Sequence, residues 1–114
     1  MNIFTYGSLM FPEVMYGLVK QPHYESSTAV LDGHSRKQVK GKPYPGLIVD
    51  PGNFVRGRVY FNVNEEDTKI LHDFEDKEYH QVMMHMKTEN GKEISALVYL
   101  YADPMNLEER EWDL

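Results

Sequence analysis

The chain has 114 residues, a formal net charge of −6 and no cysteine. That length supports a single hydrophobic core, and the missing thiols exclude disulfide stapling, thiol catalysis and thiolate metal sites. The acidic balance argues against a broad nucleic-acid footprint, no apolar run approaches the roughly 18–20 residues that span a bilayer, and no basic segment followed by an apolar core opens the chain, so a cytoplasmic protein without a membrane segment or secretion signal is expected.

The first predicted element is a short strand through Ile3, Phe4 and Tyr6, which favour extended backbone. It breaks at Gly7-Ser8-Leu9, where Gly7 is free to take positive φ. Successive N–H groups past a strand end form a concavity suited to a carboxylate or phosphate. Phe11–Leu18 makes a helical turn or two, with Pro12 tolerated near its start. Thr28–Leu31 begins a second extended run, interrupted at Asp32-Gly33. The basic stretch Arg36–Lys42, followed by Pro43, is expected to be a solvated loop or hairpin end.

Tyr44-Pro45-Gly46 and Asp50–Asn53 are turn signals on either side of Leu47-Ile48-Val49, which predicts a hairpin with the strand Phe54–Val63. Gly57, inside that strand, marks a bulge or a close backbone approach. A helix begins at Asn64, which caps it, with Glu65, Glu66 and Asp67 complementing the dipole and Ile70, Leu71 and Phe74 forming an apolar face. Strands follow over Tyr79–Lys87 and Glu93–Tyr101, joined by a turn at Glu89-Asn90-Gly91. Both faces of this pair are largely apolar, as in a barrel wall covered outside. Residues 106–114 are an acidic tail anchored by Trp112, and residues 1–114 are expected to form one domain.

At the end of the Asn64 helix, Asp73, Glu75 and Asp76 crowd around Phe74, which is expected to point into the core. Negative charge there opposes the helix dipole. A carboxyl held against apolar walls beside other acids has a raised pKa and can exchange protons near neutral pH. A metal site is not expected: His72 and Glu75 can share a helix face, but His80 and His85 point to opposite faces of a strand. Ser8 has no histidine tied to it by any recognisable spacing, which argues against a serine nucleophile.

These landmarks occur in one order. Phe4-Thr5-Tyr6-Gly7-Ser8-Leu9 is followed by Leu31-x-Gly33-x-x-Arg36, Tyr44-Pro45-Gly46 and Val55-x-Gly57-x-Val59-Tyr60. Leu71-x-Asp73-Phe74-Glu75, Tyr79 and Val98-Tyr99 complete the series. From Met1 to about Tyr101 the chain resembles the γ-glutamylcyclotransferase-like family, in its small γ-glutamylamine cyclotransferase and avirulence-induced-gene-like branch. The resemblance implies an α+β fold, a small mixed β-barrel with a few flanking helices and a cavity at one end. It implies that the amides of Tyr6, Gly7, Ser8 and Leu9 hold the α-carboxylate of a small-molecule γ-glutamyl substrate. It also implies that Glu75 is the general acid–base, or proton acceptor, in a lyase- or acyltransferase-type release of 5-oxoproline and an amine. No metal or organic cofactor is implied. Tyr44, Tyr79 and Tyr99 are candidate cavity residues. The chain departs from the family pattern at Asp76, where glycine is frequent, and at Gln81, where arginine is frequent. The alternatives are a non-catalytic relative that binds a small carboxylate for sensing or regulation and, third, a phosphate or nucleic-acid binder using Arg36–Lys42.

Overall fold

The computed structural model describes residues 1–75, 78–101 and 104–112. Strand β1 (Ile3–Thr5) leads through a 3-10 turn (Ser8–Met10) into helix α1 (Pro12–Leu18). The chain continues with β2 (Ser26–Val39), β3 (Pro45–Tyr60), α2 (Glu65–Phe74), β4 (Tyr79–Thr88) and β5 (Glu93–Tyr101). A second 3-10 turn (Pro104–Asn106) precedes β6 (Leu107–Glu111). The strands lie in the order β3-β1-β5-β4-β2, and β2 also pairs with β3, which closes a mixed barrel. Among the described residues only β1 and β5 run parallel. The fold is the expected α+β barrel. No helix among the described residues is long and apolar enough to cross a membrane.

The hairpin of the barrel differs from the one expected. β2 and β3 pair along almost their whole length, from Ser26↔Tyr60 to Gln38↔Pro45. The turn lies at Lys40–Tyr44, where Gly41 has φ +71°. Asp50–Asn53 is an excursion within β3, opposite the irregularity between Asp32 and His34, with Gly33 at φ +76° and Gly52 at φ +89°. Both turn signals thus mark a bulge that bends one ribbon. Arg36–Val39 belongs to β2, so the basic stretch is half strand.

Two cores follow from the period-2 alternation of the strands. Phe4, Val59, Ala96 and Val98 fill the barrel interior. Ile3, Tyr60 and Leu97 point outward and are covered by Met15 of α1 and Leu71 of α2. The outer face of β4 is uncovered, contrary to expectation, with Met83 and His85 exposed. Leu107 of β6 joins Val39 and Tyr101 in a third cluster, so the segment read as a tail is an added strand on β2.

Helix α2 is capped as its sequence predicts, the Asn64 side chain accepting from the Asp67 amide at 2.8 Å. Asp67 is 0% exposed. Its carboxylate accepts from the Lys20 and Gln21 amides at 2.9 and 3.1 Å and from the Tyr24 hydroxyl at 2.6 Å. Burial pushes this carboxyl upward, but the three donors outweigh it and hold the group below its ordinary value. It ties α2 to the α1–β2 connection. Asp67→Ala is expected to lower stability by about 3 kcal/mol, because three donors lose a charged acceptor. Because the folded-state pKa is lowered, this contribution is complete above the unfolded value of about 3.9 and disappears as pH falls through the folded one. Urea denaturation of wild type and Asp67→Asn should therefore converge in acid; a constant gap across pH would contradict the assignment.

Candidate active site

The turn after β1 is shaped by space rather than by positive φ. Gly7 has φ −123° and ψ −141°, so the conformation expected for it is not adopted. A Cβ there would lie 3.3 Å from Cγ and Cδ of Pro45, a tight approach that glycine avoids. The Met10 amide donates to the Gly7 carbonyl at 3.0 Å and the Phe11 amide to the Ser8 carbonyl at 3.1 Å. The opening amides of such a turn have no partner within it. Among the described residues, those of Gly7, Ser8 and Leu9 donate to no protein acceptor.

Three long-range hydrogen bonds brace this turn. The Tyr6 hydroxyl donates to the Tyr99 carbonyl at 2.5 Å, the Tyr60 hydroxyl to the Leu9 carbonyl at 2.8 Å, and Arg36 Nη1 to the Tyr6 carbonyl at 2.9 Å. Burial, then the nearby Tyr79 and Glu75, pushes the Tyr6 hydroxyl well above its ordinary pKa. Tyr60 is raised to about 12, chiefly by burial. Both phenols remain neutral donors at physiological pH.

Glu75 sits at the C-cap of α2, its amide donating to the Leu71 carbonyl at 3.1 Å, where φ −70° and ψ 141° turn the chain out of the helix. It is half-buried. Tyr99 is raised in pKa by burial and then by Glu75, and its hydroxyl is hydrogen-bonded to His72 Nδ1. The Tyr79 hydroxyl donates to the Pro45 carbonyl at 2.5 Å, and its ring lies 5.9 Å from that of Tyr44. Helix end, β5 and the β2–β3 turn thus converge on one hollow.

That hollow has a volume of about 660 Å³, within the usual range for small-molecule sites. Tyr6, Gly7, Ser8, Leu9, Tyr44, Glu75, Tyr79 and Tyr99, all singled out from the sequence, line it. Phe74, expected in the core, is 49% exposed and lines the cavity instead. Asp73, Pro43 and Pro45 also line it; Asp73 and Pro45 entered the sequence reading as parts of landmarks and Pro43 as the end of the basic stretch, none of them as a cavity residue. Asp76 lies outside the described residues, and Gln81 is exposed on β4. The described lining contains the carboxylates of Asp73 and Glu75 but no Lys, Arg or His. An anionic ligand group would therefore rely on backbone amides, and the turn at Gly7–Leu9 offers them.

Comparison with known proteins gives a consistent result. The family described as Gamma-glutamyl cyclotransferase, AIG2-like, matches residues 3–114. AIG2-like protein C from Arabidopsis thaliana is 34% identical over 102 residues, covering 88% of this chain and 58% of that protein. The chain thus spans a little over half the length of that relative. The solution structure of another Arabidopsis thaliana protein superposes with a TM-score of 0.83 at 27% identity, covering 98% of this chain and 68% of that one. A protein described as Gamma-glutamyl cyclotransferase shares the fold with a TM-score of 0.76 at 21% identity, over 94% of this chain and 68% of the other.

Proposed function

The chain belongs to the gamma-glutamyl cyclotransferase, AIG2-like family, and from that premise we propose that it releases 5-oxoproline and an amine from a small γ-glutamyl amine or amide. The observation that carries this reading is the convergence of Glu75 and the Gly7–Leu9 amides on one cavity. In the proposed reaction the Gly7–Leu9 amides take the substrate's α-carboxylate. The α-amino nitrogen, facing Glu75, attacks the γ-carbonyl carbon. A new C–N bond closes the five-membered lactam while the bond to the leaving amine breaks. The attacking nitrogen loses two protons in going from ammonium to lactam N–H. Glu75 accepts the first before the attack and passes it to the departing nitrogen. It then accepts the second as the tetrahedral adduct collapses and passes it on likewise, so that the amine leaves as an ammonium and Glu75 ends as it began.

The physical economy of the reaction fits so small a site. Nucleophile and electrophile already belong to one molecule, so folding them together supplies up to ~7–11 kcal/mol of the barrier. What the protein must add is a fixed conformation and one proton carrier. The aromatic rings of Tyr44, Tyr79 and Phe74 share the cavity wall with two carboxylates, Glu75 and Asp73, of which Glu75 is given the proton-carrying role.

Incubation with a panel of γ-glutamyl amines, amides and dipeptides, followed by detection of 5-oxoproline, tests the proposal. At least one member is expected to be turned over. No 5-oxoproline from any member, together with saturable binding of glutamate or glutarate, would identify a carboxylate-binding protein instead.

A further inference from the structure

Arg36 lies outside the cavity lining yet touches the residue from which the Gly7–Leu9 turn departs. Its Nη1 donates to the Tyr6 carbonyl at 2.9 Å and approaches the Arg56 carbonyl at 3.4 Å. On its other side the guanidinium stands 5.6 Å from the ring centroid of Trp112. Trp112 is itself fixed at two points. Its amide donates to the Arg36 carbonyl at 3.1 Å and its Nε1 to the carbonyl of Pro43, a cavity residue, at 3.3 Å. The pairing of β6 with β2, at Lys37↔Glu111 and Val39↔Leu107, delivers Trp112 to this place.

The Tyr6 carbonyl and the Gly7 N–H belong to one peptide plane, and the described chain contains no cis peptide. In a trans peptide the two groups point in opposite directions. A cation bound to the carbonyl therefore fixes where the N–H points. It also draws electron density toward the oxygen, which strengthens the N–H as a donor. We propose that Arg36 and Trp112 are positioning residues: Trp112, directly after β6, clamps Arg36 over the Tyr6–Gly7 peptide and so orients and polarises an amide of the anion-binding turn. The proposal rests on the reading that this turn takes the substrate carboxylate. Cation–π contact suits the role because Arg presents a flat face to the indole and a donor edge to the carbonyl, which Lys does not.

The test is a set of variants, Arg36→Gln, Trp112→Ala, Trp112→Phe and the double variant Arg36→Gln/Trp112→Ala. With a γ-glutamyl compound that wild type turns over, each of the first two is expected to raise KM by ~10-fold and to leave kcat within ~3-fold, since uniform binding of the carboxylate is what weakens. Trp112→Phe, which keeps a ring over the guanidinium, should remain within ~3-fold of wild type. The double variant should be no worse than Arg36→Gln, because Trp112 acts through Arg36. Additive effects, or an unchanged KM in Trp112→Ala, would overturn the proposal.

A second readout does not depend on turnover. Amide hydrogen exchange at Met10 and Phe11, whose N–H groups close the turn, should accelerate by ~10-fold in Trp112→Ala. Unchanged exchange there overturns the proposal even if wild type proves inactive, whereas inactivity with accelerated exchange would count only against the cyclotransferase reading. Trp112→Ala also stands alone if Arg36→Gln fails to fold.

Discussion

Glu75→Gln is expected to lower the rate of 5-oxoproline formation by about a thousandfold, in the range that a positioned general acid–base contributes. The amide keeps the size of the carboxylate and neither accepts nor returns the proton. The affinity for a small carboxylate such as glutarate should change by less than ~3-fold, because the Gly7–Leu9 amides are untouched. Steady-state turnover and isothermal titration of the same variant separate the two quantities. Full activity in Glu75→Gln would remove Glu75 from the proton-transfer role, and Asp73, on the same cavity wall, would become the residue to replace next.

The largest stability effect is expected at Gly57. A Cβ at this position would lie 2.3 Å from the Thr5 carbonyl oxygen and 2.7 Å from Phe4 Cζ. Phe4 is fully buried in the barrel interior and Thr5 is held in register opposite Arg58, so neither neighbour has room to retreat. Gly57→Ala must push β1 away from β3 and should cost ~3 kcal/mol or more, with a fall in Tm on the order of 10 °C. Gly17, exposed in α1 with nothing within 4 Å of its added Cβ, provides the contrast. Gly17→Ala should raise stability by up to ~1 kcal/mol through helix propensity alone. Thermal unfolding of the two variants side by side checks both; a Gly57→Ala protein as stable as wild type would mean that β1 and β3 do not approach so closely.

Local chemistry made several features legible in the sequence. The Asn64 cap, the acidic first turn of α2, the Asn90-Gly91 hairpin and the need for a bare backbone at Gly57 each depend on neighbours a few residues away or on one missing side chain. The turn at Gly7–Leu9 was legible as a place where strand pairing stops. The course of β2 and β3 was not. Asp32-Gly33 and Asp50–Asn53 look like ends of strands, and only their facing positions across the ribbon turn them into one bulge. Pro45 and Gly46 likewise look like a turn, yet they begin β3. A Cβ on Gly46 would come within 2.8 Å of Tyr101 and 2.9 Å of Leu107, residues far along the chain. Phe74 misled for a related reason: its spacing matches the buried face of α2, but the helix ends there and the ring turns to the cavity. Arg36 and Trp112 meet through the β2–β6 pairing, which neither residue announces by itself.

The short strand β1 lies between β3 and β5, so Ile3 faces Tyr60 on one side and Leu97 on the other. The bond from Tyr6 to Tyr99 bridges 93 positions. A nascent chain on the ribosome cannot complete this arrangement until synthesis has passed Tyr99 and the last strands have left the exit tunnel. Until then β1 can pair with β3 but its β5 edge stays open, and the entropy of closing so long a loop must be overcome late. Closure of the barrel and assembly of its hollow thus wait on the same late pairing, and truncation before that point should leave the long β2–β3 ribbon with open edges.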